Sequence, residues 1–316
     1  MKAALFNVDV DSLWVYAQEF GVNSKTLPDL AYQEALPRLL EIIKGKNIKV
    51  TFFVTGKDLK ELPAARNFCR QAAAQGHEIA NHSFSHCGRF EALSVKELEN
   101  EVIRTHNVIT EACDTVPVGF RSPDYNINNK IFQVLIRHGY RYDTSVFPGW
   151  STVLMRLYYL NFKFKNKKFG NFNYLLSSSM PRRLKRSKDW QKSFWELPIT
   201  AAPLLRVPFH PSVIYQFGWR YLNFCLNVLK IFTPNYCIFL MHAVDLADFT
   251  NLKNKKPFPD MIFTKWQLKD KIKLINRYID FCIESNMSFL TNINYIEMLH
   301  PSGPNAGISL QTAPVR

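Results

Sequence analysis

The chain has 316 residues, 47% of them hydrophobic and 14% aromatic, enough for one large core domain plus an insertion or a tail. Its net charge of +14 points to an anionic partner: nucleic acid, a phospholipid surface or a phosphorylated ligand. The six cysteines form no CxxC and no close pair, which argues against a disulfide framework and for buried thiols in a reducing compartment.

The first strand, Ala3 to Asp11, runs apolar residues straight into two carboxylates, Asp9 and Asp11. At period two both acids point to one side, where burial is costly unless a metal or a cation answers them. The chain opens on this strand and leaves no room for a signal peptide. No run of 18 or more apolar residues occurs, and Leu222 to Val244 is broken by Lys230, Pro234 and asparagines. The expectation is a cytoplasmic protein, soluble or peripheral on the inner face of a membrane.

A helical stripe of Leu36, Leu39, Leu40 and Ile43 stops at Gly45. Ile48 to Val54 reads as a buried strand, and a helix covers Ala64 to Gln75. His77 to Asn81 forms the third strand and delivers His82-Ser83-Phe84-Ser85-His86. Ser94-Val95-Lys96-Glu97 is a capping box that starts the next helix. Strands near Val118–Phe120 and Tyr140–Thr144 flank a helix, and the first of them ends in Arg121-Ser122-Pro123-Asp124-Tyr125. This alternation argues for an α/β fold with a parallel sheet.

The pattern breaks between 150 and 192. There Arg156, Lys163, Lys165, Lys167, Lys168, Arg182, Arg183, Lys185, Arg186, Lys188 and Lys192 meet a single acid, Asp189. Trp150, Tyr158, Tyr159, Phe162, Phe164, Phe169, Phe172 and Tyr174 are interleaved with them. Such a segment suits an anionic membrane surface or a sugar on a diphosphate lipid carrier. Without a recognisable nucleic-acid motif, nucleic acid is not the expected partner. The alternation then resumes with Glu196 to Thr200, the strand Tyr236 to Met241 ending at His242, a long amphipathic helix and a last strand. The expected organisation is a single domain over 1–300 with the 150–192 insertion, then a flexible tail, 301–316.

Asp9, Asp11, His82, Arg121 and His242 each fall at or just past the end of a strand. In a βα barrel those ends converge on one face. His82 and His86, four apart, can bite one metal from a helical turn, and Asp11 completes a two-His, one-carboxylate set. Zinc is the first expectation, and manganese, iron, cobalt or nickel also suit such a set. Trp195 and Glu196 either line a sugar site or serve as core and cap residues. His77, His106, His138, His210 and His300 read as ordinary surface or helix residues.

These short motifs, with Leu240-Met241-His242, occur in the order found in polysaccharide deacetylases of the NodB-homology type (carbohydrate esterase family 4), which the chain resembles over residues 3 to 295. The spaced Asp-Val-Asp and the segment ending Ala35-Leu36-Pro37-Arg38-Leu39-Leu40 resemble the branch that includes the deformylase of undecaprenyl-linked aminoarabinose. The resemblance implies a (β/α) barrel, TIM-like and irregular, with seven strands rather than eight. It implies Asp11, His82 and His86 as metal ligands and Asp9 as general base. Arg121 would be the partner of Asp9, and His242 the general acid. The backbone N–H of Tyr125 would stabilise the oxyanion. In the family an Asp orients the acid His; Asp143 and Asp245 are both candidates. The implied reaction removes an N-acetyl or N-formyl group from an amino sugar in cell-surface glycan assembly, such as lipopolysaccharide biosynthesis. Alternatives are an amidohydrolase of a small cyclic amide or ureide, and a non-catalytic sugar-binding module.

Overall fold

The computed structural model describes residues 1–20, 23, 27–150, 152–153, 156–157, 169–185, 189, 192–203, 206–232, 234–250 and 261–300. The tail 301–316 and much of the basic segment, Tyr158 to Lys168 and Arg186 to Lys188 included, lie outside them.

The centre is a curled parallel sheet. Its strands are β1 (Lys2–Val10), β2 (Val50–Val54), β3 (Glu78–Asn81), β4 (Gly119–Phe120), β5 (Tyr142–Asp143), β7 (Phe194–Glu196) and β10 (Tyr236–His242). They run side by side in the order β10-β1-β2-β3-β4-β5-β7, all parallel. The antiparallel β6 (Arg182–Lys185) edges β7, and β11 (Met287–Phe289) also pairs with β1. A small hairpin of β8 (Ala201–Ala202) and β9 (Val207–Pro208) stands apart from this sheet. Side chains span the gap between the two ends of the curl: Thr200 Oγ1 accepts from the Ile238 N–H at 2.8 Å, and the Tyr236 hydroxyl donates to the Pro198 carbonyl at 2.5 Å. The expected barrel is present in this irregular form. Strand bounds differ from the sequence reading by a few residues, most at β7, where the apolar run past Glu196 continues without ladder pairing.

Strand parity sorts the core. Ala3 and Leu5 of β1, Phe53 of β2, Ala80 of β3, Tyr142 of β5 and Ile238 and Leu240 of β10 pack together inside the curl. The intervening Ala4, Phe6, Val8 and Val10 face outward against the helices, as do Phe52, Phe239 and Met241. A strand buried on both faces explains why β1 reads as a nearly unbroken apolar run.

The covering helices are α1 (Leu13–Phe20), α2 (Leu36–Ile43), α3 (Gly56–Glu61), α4 (Pro63–Ala74), α5 (Val95–Cys113), α6 (Asn129–Arg137), α7 (Pro211–Phe232), α8 (Leu268–Glu284) and α9 (Asn292–Leu299). The capping box of α5 forms: Glu97 N–H donates to Ser94 Oγ at 3.3 Å and Ser94 N–H to Glu97 Oε2 at 2.7 Å. No described helix is long and apolar enough to cross a membrane. All six cysteines are free thiols.

Gly119 shows how tightly the strands are packed. A Cβ there would lie 2.1 Å from both the ring and the hydroxyl of Tyr142, whose hydroxyl is held by Glu78 at 2.8 Å. Gly119→Ala is therefore expected to cost about 3 kcal/mol by overpacking, read as a lowered urea midpoint at unchanged m-value.

Candidate active site

Parity also builds the site. Asn7, Asp9 and Asp11 continue the inner row of β1, and β10 sets His242 directly beside Asp9 in register. His82 and Arg121 follow β3 and β4 on the same inner side, and the Arg121 N–H donates to the Asn81 carbonyl at 3.0 Å.

Arg121 is fully buried. Its Nη1 donates to Asp9 Oδ1 at 2.7 Å and its Nη2 to Asn7 Oδ1 at 2.7 Å and Thr144 Oγ1 at 3.0 Å. Its Nε donates to the Thr144 carbonyl at 2.9 Å. The guanidinium also lies 4.1 Å from the Phe53 ring centroid. Burial by itself pushes the Asp9 carboxyl up, but the Arg121 charge, with His82 and His242, outweighs it and holds Asp9 below its ordinary range. Asp9 is thus an ionised, oriented carboxylate.

Asp11 has the opposite balance. Burial raises its carboxyl, and the nearby His82 and His242 do not offset it. Its Oδ1 is buried without a hydrogen-bond partner, 3.6 Å from His82 Nε2 and 3.5 Å from His86 Nε2. Ligand atoms of these three residues lie within 4.8 Å of one another. His82 Nδ1 sits 2.8 Å from the Arg121 carbonyl, which fixes the tautomer that leaves Nε2 free to bind. Burial also keeps the His82 imidazole neutral. An orphaned carboxylate oxygen facing two imidazole nitrogens fits a divalent metal ion.

The His82–His86 segment is not a helical turn. Ser83 (φ 65°) and His86 (φ 48°) adopt left-handed backbone, and the segment bends back on itself. Carboxylate acceptors hold that bend. Glu101 of α5 accepts from the N–H groups of Phe84 and Ser85 at 3.0 and 2.8 Å and from Ser85 Oγ at 2.9 Å. The spacing of the two histidines was readable in the sequence; the device that converges them was not.

His242 Nε2 lies 3.7 Å from Asp11 Oδ2, and the side chain is 21% exposed, within reach of solvent and substrate. Asp245 accepts from the His242 backbone N–H at 2.8 Å. Asp143 lies elsewhere. It follows the inward Tyr142 and so faces the other side of the sheet, where it accepts from Ser145 N–H and Oγ at 2.8 and 2.7 Å. Of the two aspartates considered for orienting His242, only Asp245 touches it.

The Tyr125 N–H donates to the Ser122 carbonyl at 3.1 Å within a tight turn, so it is already engaged. The Tyr125 ring packs against Phe147 and Phe169. Trp195 packs against the inner cluster, and its Nε1 is buried with no hydrogen-bond partner among the described residues. His210 corrects the sequence reading: it is 6% exposed, with its ring 5.3 Å from that of His242. Burial first, then His242, pushes its pKa down to about 3, so it is a neutral wall beside the site. Its place after the β8–β9 hairpin carried no motif that could have flagged it.

Residues 26–142 match the family model for polysaccharide deacetylases. Over that stretch the chain is similar to polysaccharide deacetylases. That match contains His82, His86, Arg121 and Tyr125, while Asp9, Asp11 and His242 come from strands outside it. A peptidoglycan deacetylase of Helicobacter pylori is 24% identical over 147 residues, 45% of this chain and 48% of that protein. A peptidoglycan-N-acetylglucosamine deacetylase of Bacillus cereus is 31% identical over 96 residues, 30% of this chain and 32% of that one. The chain thus spans less than half the length of these curated relatives. Among solved structures, a putative polysaccharide deacetylase from Mycobacterium smegmatis aligns with a TM-score of 0.59 at 18% identity, over 93% of this chain and 88% of that one. The Puue allantoinase aligns with a TM-score of 0.60 at 12% identity, over 96% and 91%. At these identities the two structures share the fold.

Two outcomes test the site. Asp11→Ala is expected to abolish stoichiometric zinc binding in equilibrium dialysis, while Asp9→Asn retains it. The second concerns Asp143 and Glu196. Glu196 Oε2 is buried without a hydrogen-bond partner among the described residues, and the Glu196 and Asp143 carboxyls lie side by side, an arrangement that favours a proton on the pair. Burial raises both, Asp143 from 3.8 to about 6. The folded state then holds more protons than the unfolded one, so this pair stabilises at low pH and loses that contribution as pH rises through about 6. Glu196→Gln is expected to flatten the fall of the urea midpoint between about pH 4 and pH 6.

Proposed function

We propose that this chain hydrolyses the N-acyl group, acetyl or formyl, of an amino sugar. The observation that carries the reading is the convergence of an ionised Asp9, clamped by Arg121, with a reachable His242 and a metal-ligand set on one rim. Asp11, His82 and His86 would hold the ion. When bound, a divalent ion polarises the acyl carbonyl as a Lewis acid. Asp9 takes a proton from the attacking water, and Arg121 stays paired with it throughout. His242 gives a proton to the departing sugar nitrogen. The C–N bond breaks, leaving a carboxylic acid and a free amine.

The substrate we infer is an amino sugar on a diphosphate lipid carrier, with a nucleotide-linked sugar as the nearest variant, in cell-surface glycan synthesis. The protein would work at the anionic face of a membrane on the cytoplasmic side, as in the branch containing the aminoarabinose deformylase. Support comes from the described part of the basic segment. Phe172, Leu175, Leu176, Met180 and Leu184 are exposed, Leu176 to 87%, and the cations Arg182, Arg183 and Lys185 follow or flank them in the chain. Tyr174 ties this patch to the rim, because its hydroxyl donates to the Tyr125 carbonyl at 2.6 Å. A small cyclic amide or ureide would leave such a surface unused.

Release of acetate or formate from extracted lipid-linked amino sugars tests the reading. Asp9→Asn is expected to lower kcat about 10³-fold. Leu176→Glu should raise KM for the lipid-linked substrate while leaving turnover of a short soluble analogue unchanged. Turnover of small ureides in preference to any amino sugar would overturn the proposal.

A further inference from the structure

A second basic feature lies away from the catalytic rim, on the outer wall where α3, α4 and α5 meet. An open groove of about 430 Å³ is lined by Lys60, Arg66, Arg70 and Arg104, with Glu111 as its one acid. None of the four cations forms an ion pair with a carboxylate among the described residues. The guanidinium groups are nonetheless fixed. Arg66 Nε donates to the Leu59 carbonyl at 2.6 Å and its Nη2 to the Lys60 carbonyl at 2.7 Å. Arg70 Nε donates to the Ala112 carbonyl at 3.1 Å. Arg104 stacks over Phe84, 3.6 Å from the ring centroid.

Each anchor uses the inner edge or one face of a guanidinium. The terminal nitrogens of Arg70 and Arg104, and Arg66 Nη1, keep their donors unspent among the described residues. Holding several like charges around one hollow is unfavourable until an anion enters. Forked donors already fixed in place suit phosphate oxygens, because little rotamer freedom is then lost on binding. The excess of four cations over one acid fits a dianion or higher.

We propose that this groove binds a phosphoryl group, a diphosphate or a phosphate ester with further charge, at a site separate from the deacetylase centre. The site does not depend on the catalytic reading, since none of its cations belongs to the rim. It backs onto that centre through Phe84, in the bend between His82 and His86, and through α5, which carries Arg104 as well as Glu101.

Isothermal titration calorimetry with inorganic pyrophosphate on the full chain tests it. The wild type is expected to bind with one site, in a salt-dependent manner. Arg70→Gln combined with Arg104→Gln should weaken binding by about tenfold or more, the loss of charge-assisted hydrogen bonds. Glu111→Gln, an exposed change that leaves every cation in place, should tighten it severalfold. A wild type that takes up no pyrophosphate at millimolar concentration overturns the site, as does an affinity that neither variant moves. A competition arm identifies the source of the phosphoryl group. Displacement of pyrophosphate by phosphatidylglycerol vesicles marks a lipid headgroup, and displacement by soluble nucleoside diphosphate alone marks a free ligand.

Discussion

The buried pair of Arg121 and Asp9 is the constraint on which the site depends. A guanidinium with no solvent contact must satisfy its donors inside the protein or cost several kcal/mol. Here Asp9 and Asn7 of β1 and Thr144, just past β5, do so, and Phe53 of β2 covers its face. One side chain therefore locks the relative positions of strands across the curl. Its chemical result is the division of labour between two acids two residues apart. Asp9 is held ionised by a permanent cation. Asp11, equally buried but without one, instead faces the imidazole nitrogens of His82 and His86.

The arrangement also explains how a short ladder supports function. β4 and β5 are only two residues each. Their pairing is extended by polar side chains: the Arg121 fork to Thr144, and Ser145 between Asp143 and the Ser122 N–H. Where the backbone ladder is brief, the side-chain network holds the strand ends in place. Substitutions in that network are then felt at the site as well as in stability.

Much of this was legible in the sequence because strand parity is a local rule. Asp9 and Asp11 share a face, and apolar residues on both sides of β1 mark a strand buried twice over. The histidine spacing and Arg121 at a strand end were equally visible. What could not be read depends on distant or irregular backbone. The His82–His86 bend rests on left-handed residues and on Glu101, fifteen positions beyond His86, in a helix whose sequence reads as an amphipathic pattern. His210, which follows the β8–β9 hairpin, comes beside His242 through tertiary contact alone. Asp143 and Asp245 could be separated only once the register of β5 and the turn after β10 were seen.

The inner row of β1 reaches further along the chain than any other feature. Asn7 accepts from Arg121 while exchanging amide hydrogen bonds with Asn292 at the start of α9, at 2.9 and 3.2 Å, 285 positions away. The guanidinium that orients Asp9 is thus partly seated by an element far along the chain. Contacts of such long separation close late, after their loop entropy has been met. Every side chain on the rim is then present in the chain before the helix that seats Arg121 can pack, so the geometry of the rim is set by a contact that forms after the strands.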